Sequence, residues 1–348
     1  MTTTRLLTPE EIALRAGQNF ARLRTPEADV FAQRALRLRQ LAAGHAMRDY
    51  LMFIAQLAEA QDRALQSFPA VPLPSAQQLQ AAAQSGQPAL AVSAWPRDVA
   101  WQSSLRTLLE QLADALPADS PARASVQAVR ALPADKLNQQ ADRLLTGVML
   151  GLDFAAAPLI AAGLQVYFTH LVRATQAAHA QNRPAGADAS AHAESAWGYA
   201  QDATRCPCCG SLPTASITRI GGDADGYRYL HCSVCNAQWH MVRVKCTHCE
   251  STQGIHYQSL QAADTPSTPE GKPTAVQDTV QAETCDSCGH YLKIVRLNKD
   301  PHAEPAADDL ATLTLDLLVS EAGFARHGVN LMLLFGEGDT PESGSARA

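Results

Sequence analysis

The feature that most limits how this chain can fold is the placement of its nine cysteines. All of them lie between positions 206 and 288 of a 348-residue sequence. Two residues between cysteines allow a tight backbone knuckle in which both sulfurs face one ion. Eight of the nine have this spacing, in the pairs Cys206/Cys209, Cys232/Cys235, Cys246/Cys249 and Cys285/Cys288. Four knuckles predict two four-thiolate metal sites.

The order of the pairs along the chain favours sequential grouping of the ligands. The expected groups are Cys206, Cys209, Cys232 and Cys235 for one ion, and Cys246, Cys249, Cys285 and Cys288 for the other. The connections of 22 and 35 residues exceed the usual spacing of about 15–20 in zinc sites. Strands and a loop can fill them. An interleaved arrangement, in which the pairs alternate between ions, is the alternative.

A closed set of four thiolates predicts a structural or redox-active ion, because no coordination position is left open for water. Zinc and iron both accept four thiolates in tetrahedral geometry. Cys208, inside the first knuckle, is predicted to point away from the ion and not to bind it. Four histidines of the region are predicted to be surface groups or to support the ligands from behind: His231, His240, His248 and His290.

Three knuckles are followed by a residue that tolerates left-handed backbone. These residues are Gly210, Asn236 and Gly289. A chain that leaves a metal knuckle often turns through this conformation, which glycine adopts freely and asparagine adopts more readily than other residues. The residue types therefore support the knuckle interpretation.

The rest of the chain predicts an α+β fold with four parts. Residues 1–195 form an all-helical domain, and 205–245 and 246–299 form two rubredoxin-like or zinc-ribbon-like four-cysteine modules. Residues 306–335 form a C-terminal helix. Helical spacing of apolar residues supports the first domain, in three stripes: Leu51, Ile54, Ala58 and Leu65; Trp101, Leu105, Leu108, Leu112 and Leu116; and Leu137, Ala141, Leu144 and Val148.

Two later segments carry specific expectations. Gln261 to Thr284 is rich in Thr, Pro, Gln and Ala, which predicts a long surface loop. In the C-terminal helix, one face is predicted to hold Leu310, Leu313, Leu317 and Leu318, and Gly323 is predicted to end the helix.

The sequence favours a cytoplasmic protein that does not insert into a membrane. The N-terminus lacks a basic region followed by an apolar core, which argues against a Sec-type signal peptide. In the cytoplasm thiols stay reduced, so paired cysteines favour metal over disulfides. Leu144 to Val172 is long enough to cross a bilayer, but it contains Asp153, Pro158 and three glycines. We interpret it as helix buried in a bundle.

Charge argues against nucleic acid as a partner. The chain has a formal net charge of −6. Between positions 205 and 299, nine Lys and Arg residues face eight Asp and Glu residues, a net of +1. Nucleic-acid binding depends on a basic surface that displaces counterions from phosphates. A DNA-binding zinc ribbon is therefore the least favoured hypothesis.

The sequence resembles the FdhE family of formate dehydrogenase accessory proteins. The resemblance is carried by "RYLHCSVCNAQWHMVRVKCTHC", "ETCDSCGHYLKI" and "KDPHAEPAADDLATLTLDLL", and in the helical half by "RDYLMFIAQLAEAQ" and "WPRDVAWQ". All four Cys-x-x-Cys pairs match the family pattern. The motifs are specific to the family, because metal binding alone does not require the stretch from Trp239 to Cys246, or Asp308 and Asp309.

The resemblance implies a cytoplasmic protein that is not an enzyme. Such a protein would be required for active respiratory formate dehydrogenase, and would contact the catalytic subunit of that enzyme before export. Iron, in two rubredoxin-type sites, is the metal that the family implies, with zinc as the alternative. Trp239, Tyr291, Asp308 and Asp309 are candidate surface elements for the partner, or else core residues and a helix N-terminus. The competing hypothesis is a rubredoxin-like electron carrier.

Overall fold

The computed structural model describes residues 21–182, 195–198, 200–221, 226–260 and 279–334. Its N-terminal half is helical. Seven helices are described there: α1 (Val30–Ala42), α2 (Arg48–Gln66), α3 (Ala76–Ser85), α4 (Ala100–Ala115), α5 (Pro121–Arg130), α6 (Ala134–Thr146) and α7 (Ala157–Gln181). A two-residue strand, β1 (Leu23–Arg24), precedes them. A helical N-terminal region was predicted, and the structure confirms it.

The longest helix, α7, runs through the centre of the helical region. Nearly every residue from Ala157 to Val172 is buried, so this segment has no solvent-exposed face. α7 packs against α2, α4 and α6. At Gly163 a methyl group would lie 2.9 Å from Leu105 Cβ, which shows how closely α4 and α7 approach. Burial in a bundle explains the apolar composition of the segment.

The predicted stripes form the faces of α2, α4 and α6 that are turned toward α7. Leu51, Ile54, Leu105 and Leu137 are at most 1% exposed. Val148 was predicted to continue the third stripe and does not. It is 47% exposed, because α6 ends at Thr146 and Gly147 turns the chain with a φ of 73°.

The segment from Leu144 to Val172 is accordingly not one helix. A turn over residues 147–156 separates α6 from α7. In the part of the chain that the structure describes, no helix combines the length and the apolar character needed to cross a bilayer.

The cysteine-containing half builds one twisted sheet. After β1, the described strands are β2 (Pro213–Thr218), β3 (Arg228–Cys232), β4 (Gln238–His240), β5 (Ile255–Gln258), β6 (Val280–Cys285), β7 (His290–Arg296) and β8 (Ala325–Arg326). The strand order is β1-β4-β3-β2-β7-β6-β5, and β8 also pairs with β7. Most pairs are antiparallel, but β2–β7 and β7–β8 are parallel.

The two cysteine modules share this sheet. β2 of the first module lies beside β7 of the second, with Ser216 opposite Ile294 and Thr218 opposite Arg296. A buried ion pair adds to the strand pairing: Arg228 Nη1 lies 2.7 Å from Glu283 Oε2. The same guanidinium donates to the carbonyls of Val242 and Lys245, which precede the third knuckle. Arg228 therefore fixes the start of the second module against the first.

The predicted loop from Gln261 to Thr284 is wrong at its C-terminal end. Residues 261–278 lie outside the described part of the chain, but Val280 to Cys285 form β6. β6 pairs with both β5 and β7. The Thr and Gln residues of this segment led to the prediction of a loop. The burial of the strand depends on neighbours that are distant along the chain.

The C-terminal segment is not one helix over 306–335. It forms α8 (Pro305–Ala311) and α9 (Leu313–Glu321), and Gly323 follows with a φ of 91°. Thr312 separates the helices, because its hydroxyl donates to the carbonyl of Asp308 and its own carbonyl accepts from Lys293 Nζ. The break changes the helical phase. Leu317 and Leu318, predicted to share a face with Leu310, are half-exposed, whereas Leu310, Leu315 and Val319 are buried.

Candidate metal centres

The first group of sulfurs is enclosed in the protein core. Cys206 Sγ lies 3.5 Å from Cys235 Sγ, and Cys209 Sγ lies 3.4 Å from Cys232 Sγ. All four side chains are 0% exposed. Their ligand atoms lie within 4.8 Å of one another. The first and second knuckles therefore face each other, as in the sequential grouping.

The second group has the same composition but lies at the surface. Cys246 Sγ is 3.7 Å from Cys288 Sγ, and Cys249 Sγ is 3.8 Å from Cys285 Sγ. Cys246 and Cys285 are buried, Cys288 is half-buried and Cys249 is exposed. The third and fourth knuckles thus complete the sequential grouping, and one edge of this group faces solvent.

Backbone geometry forms the knuckles. In three of them the residue after the second cysteine donates its N–H to the carbonyl of the first: Gly210 to Cys206 at 2.8 Å, Glu250 to Cys246 at 3.1 Å and Gly289 to Cys285 at 2.9 Å. The residue after the second cysteine has a φ between 58° and 76° in all four knuckles. The prediction for Gly210, Asn236 and Gly289 is confirmed.

Glu250 occupies the fourth of these positions, and its role was missed. Its φ is 60° although it carries a full side chain. Nothing in its residue type predicts left-handed backbone, but its place directly after Cys249 does. Its carboxylate forms an ion pair with Lys245 that bridges the third knuckle.

The distances between the sulfurs fit a metal ion in each group. Four sulfurs at about 2.3 Å from a central ion form a tetrahedron with edges of about 3.8 Å. The contacts of 3.4–3.8 Å agree with that geometry. Backbone N–H groups also point at the sulfurs. Those of Val234 and Cys235 reach Cys232 Sγ at 3.4 Å, and that of His248 reaches Cys246 Sγ at 3.4 Å. The two groups can therefore bind two metal ions.

Burial makes a cation important to the first group. Burial raises the pKa of the Cys232 and Cys235 thiols well above the ordinary value. Burial also acts on Cys206, but hydrogen bonds from neighbouring thiols outweigh it and lower the pKa of that group. Several uncompensated thiolates would be costly at one buried point. A divalent or trivalent ion would supply the compensating charge.

Cys208 lies outside the four-sulfur group. Its side chain is 0% exposed. Burial, followed by the interaction with Cys206, raises the pKa of the Cys208 thiol. We interpret Cys208 as a buried, protonated thiol that is not one of the ligands. The reason for its position is that the knuckle is covered by the helical region, which leaves no solvent for the side chain to reach.

The helical region holds the first group through backbone hydrogen bonds. In the segment before α4, the N–H groups of Leu90 and Val92 donate to the carbonyls of Cys208 and Cys209, at 2.9 and 3.0 Å. On the other side, α7 reaches the second knuckle: Gln165 Nε2 donates to the carbonyl of Ser233 at 2.7 Å. One apolar core accordingly extends from the helices to the sulfurs of the first group.

The four histidines have different positions. His231 is 1% exposed behind the first group, where it contacts Asn236 and Arg34, and burial lowers its pKa to about 4. It is thus a buried support and not a surface group. His240 is half-buried on β4. His248 and His290 lie side by side at the exposed edge of the second group.

The candidate surface elements are in fact buried. Trp239 and Tyr291 are 5% and 3% exposed, and Trp239 Nε1 donates to the carbonyl of Ala203. Asp308 forms an ion pair with Arg37 at 2.6 Å, and Asp309 lies 2.7 Å from Arg326 and 3.2 Å from Lys293. Their cationic partners come from distant parts of the chain. These residues therefore stabilise the fold and do not offer a surface to a partner.

A cleft of about 820 Å³ opens between the helical region and the first cysteine group. Its lining includes Gln87, Leu145, Met149, Leu212 and Val234. Cys206 and Cys209 also contribute to the wall.

Comparison with known proteins places these features in a family. Three FdhE domain families match in order: the N-terminal domain over residues 20–185, the central domain over 205–243 and the C-terminal domain over 244–333. FdhE homologues from Cronobacter sakazakii and Klebsiella pneumoniae are 35% identical over 311 residues, which is 89% of this chain and 90% of theirs. Protein FdhE from Salmonella paratyphi B has the same identity and coverage.

A solved structure shares the fold. The crystal structure of the FdhE protein from Pseudomonas aeruginosa superposes with a TM-score of 0.71 and 34% sequence identity, over 89% of this chain and 98% of that one. The matches include both halves of the molecule and both cysteine groups. The chain belongs to the FdhE family of formate dehydrogenase accessory proteins.

Proposed function

We propose that this protein is a maturation factor that binds the catalytic subunit of respiratory formate dehydrogenase in the cytoplasm, before export, and that it has no catalytic activity of its own. The observation that carries the proposal is that all three FdhE domains match this chain, together with both cysteine groups. The chain is associated with formate dehydrogenase through its family, and direct contact with the catalytic subunit is the step that we add.

We further propose that eight cysteines are metal ligands. Cys206, Cys209, Cys232 and Cys235 would hold one ion, and Cys246, Cys249, Cys285 and Cys288 the other. Each ion would have four sulfur ligands and no open position, which suits a structural ion better than a hydrolytic one. Iron is favoured by the family resemblance, and zinc satisfies the same ligands.

The ions would connect segments that lie far apart along the chain. In the first site, one ion would join the knuckle bound by Leu90 and Val92 to the knuckle bound by Gln165. In the second, it would fix the chain before β5 to the β6–β7 hairpin. A metal ion can replace a large apolar core in a small module. The sites would therefore hold a rigid surface against which a partner can bind.

Co-purification tests the proposed partner. A tagged chain would be expressed with the catalytic subunit of formate dehydrogenase in a strain that lacks its own FdhE. We expect the subunit to co-purify with the chain and formate dehydrogenase activity to be restored. A chain that is folded and metal-loaded, but that neither retains the subunit nor restores activity, would contradict the proposal.

The second candidate function is electron transfer by a rubredoxin-like iron. The exposure of Cys249 favours it, because an electron could reach the second site through that sulfur. Anaerobic voltammetry of the iron-loaded chain tests this function. Reversible oxidation and reduction at a biological potential would support electron transfer. A site without redox activity over that range would exclude it and leave partner binding.

A further inference from the structure

The turn between α6 and α7 exposes four large apolar side chains to solvent. These are Val148, Met149, Leu150 and Phe154, which we call the apolar turn. Each is at least 38% exposed, and Leu150 is 87% exposed. Single exposed apolar residues are common on soluble proteins, but a cluster of them marks an interaction site. The apolar turn is therefore one element of a candidate binding surface.

Hydrogen bonds to the backbone hold the apolar turn in place. Arg143 Nε donates to the carbonyl of Leu150 at 2.8 Å. Gln140 Nε2 donates to the carbonyl of Gly151 at 3.0 Å, and Gln140 Oε1 accepts from the N–H of Asp153 at 2.8 Å. The exposure of the apolar side chains is thus not the result of a frayed loop. A surface that is already ordered loses less conformational entropy when a partner binds.

The apolar turn adjoins the cleft of about 820 Å³ beside the first cysteine group. Gly147 and Met149 belong to the lining of that cleft. A volume of this size lies within the range of binding sites, which are mostly apolar and often lie between domains. The turn and the cleft share residues, so they form one surface. Other apolar residues of the lining are Leu144, Leu145, Leu212, Val234 and Leu331.

The charged groups of this surface are compensated within the protein. Among the described residues of the cleft lining, charge is carried by Asp202 and Arg205, which lie 3.5 Å apart as an ion pair. In the turn, Asp153 Oδ1 accepts from the N–H groups of Ala155 and Ala156 at 3.0 and 3.1 Å. A charged ligand would find no excess of the opposite charge here. The surface accordingly complements an uncharged, apolar ligand.

Two features favour a polypeptide over a lipid surface as that ligand. Ser211 contributes to the cleft lining, and its Oγ is buried without a hydrogen-bond partner among the described residues. A peptide group can donate to a hydroxyl or accept from it, so a bound segment would supply the partner. Apolar elements that bind lipid are usually flanked by basic residues. Here acidic residues, Asp153 and Asp202, lie beside the apolar ones.

We propose that the apolar turn and the cleft form a docking site for an uncharged, apolar segment of the partner polypeptide. The inference rests on the proposed function for the identity of that partner, the catalytic subunit of formate dehydrogenase. Apolar side chains of the segment enter the cleft, and the turn packs against the segment from the rim. A segment bound in this way also covers the wall to which Cys206 and Cys209 contribute.

The decisive variant is the double substitution Val148→Ser/Leu150→Ser. Both side chains are exposed, so the variant should fold and bind as much metal as wild type. Biolayer interferometry with the purified catalytic subunit measures the Kd. We expect the Kd to rise at least about tenfold, because two apolar contacts are lost from the interface. A variant that folds and binds the subunit as tightly as wild type would overturn the docking site.

The matched control is Leu317→Ser/Leu318→Ser on α9. It removes two leucines that are also exposed but lie outside the turn and the cleft lining. We expect its Kd to stay within about twofold of the wild-type value. If the control weakens binding as much as Val148→Ser/Leu150→Ser does, the contribution of the apolar turn is not specific and the proposal is contradicted.

A second probe separates failure of the docking site from failure of the proposed function. If wild type does not bind the catalytic subunit, the proposed function is contradicted. The docking site is then tested by fluorescence anisotropy with reduced, carboxymethylated α-lactalbumin, a soluble polypeptide that stays unfolded. We expect wild type to bind this probe and Val148→Ser/Leu150→Ser to bind it at least about tenfold more weakly. Absence of binding to wild type, or equal binding by both chains, would overturn the docking site.

Two other occupants of the surface are distinguished by separate measurements. Sedimentation with phosphatidylcholine vesicles detects binding to lipid, and analytical ultracentrifugation detects a second copy of this chain. Suppose that either association is lost in Val148→Ser/Leu150→Ser while the affinity for both polypeptide probes is unchanged. The surface would then belong to lipid or to a dimer, and the proposed polypeptide ligand would be wrong.

Discussion

Arg34 on α1 and Glu304, which caps α8, form an ion pair of 3.0 Å between the two ends of the described chain. Both side chains are nearly inaccessible to solvent. Arg34 also donates to Asn236 Oδ1 at 2.7 Å, directly after the second knuckle. A single guanidinium therefore connects the helical region, the first cysteine group and the C-terminal helices.

Removing the charge of Arg34 should destabilise the whole fold. Arg34→Met keeps the aliphatic volume but leaves Glu304 buried without a cation, and breaking a buried pair costs about 3–5 kcal/mol. Urea unfolding followed by tryptophan fluorescence measures the loss of unfolding free energy. Arg48→Met, whose ion pair with Asp49 is exposed, is the control and should change stability by less than about 1 kcal/mol. Equal effects of the two substitutions would contradict the assigned role of Arg34.

A second prediction concerns the ion pair between Arg228 and Glu283, which joins the two modules. Glu283→Gln removes the charge that faces Arg228 on the neighbouring module and weakens the contact with Tyr257. We expect the unfolding free energy to fall by about 3 kcal/mol, because the guanidinium stays buried without a counter-charge. Glu110→Gln, in an exposed pair with Arg130, is the matched control and should have little effect. If both substitutions are neutral, the modules do not depend on this contact.

A third prediction concerns Glu250, which follows Cys249 and has a left-handed backbone conformation. Glu250→Gly should stabilise the protein by about 1 kcal/mol, because a residue with a Cβ pays roughly that amount at positive φ. Glu250→Ala removes the exposed ion pair with Lys245 without relieving the backbone, so it should be close to neutral.

The reciprocal substitution is Gly289→Ala, at the equivalent position of the fourth knuckle. A methyl group there would meet no atom within 4 Å, so its cost is that of the backbone conformation alone. We expect a loss of about 1 kcal/mol. Thermal melts of the metal-loaded variants compare the three chains. A destabilised Glu250→Gly chain would show that the knuckle does not impose strain at position 250.

The sequence predicts a structural feature well when the residues that cause it lie close together along the chain. The Cys-x-x-Cys spacing and the residues at Gly210, Asn236 and Gly289 describe turns that close within a few residues, and the structure has those turns. The apolar stripes of α2 and α4 are likewise local patterns, and their residues are buried. Sequential grouping of the knuckles followed from the order of the pairs alone.

The remaining features depend on contacts between distant residues. Asp308 and Asp309 can be buried because each forms ion pairs with basic side chains. The basic residues are Arg37, Lys293 and Arg326, and no pattern around the aspartates indicates these partners. β6 is a strand because β5 and β7 lie on either side of it. The stacking of His248 on His290 also arises only when the third and fourth knuckles meet.

The metal content of the purified chain tests the central claim most directly. The protein is purified without oxygen, and elemental analysis is combined with a visible spectrum. We predict two metal ions per chain, and one ion per chain in Cys249→Ser/Cys288→Ser, which alters only the second group. Bands from thiolate-to-iron charge transfer would identify iron, and a featureless spectrum with two zinc ions would identify zinc. Less than one ion per folded chain, even after anaerobic reconstitution with iron or zinc, would contradict the assignment of these eight cysteines as ligands.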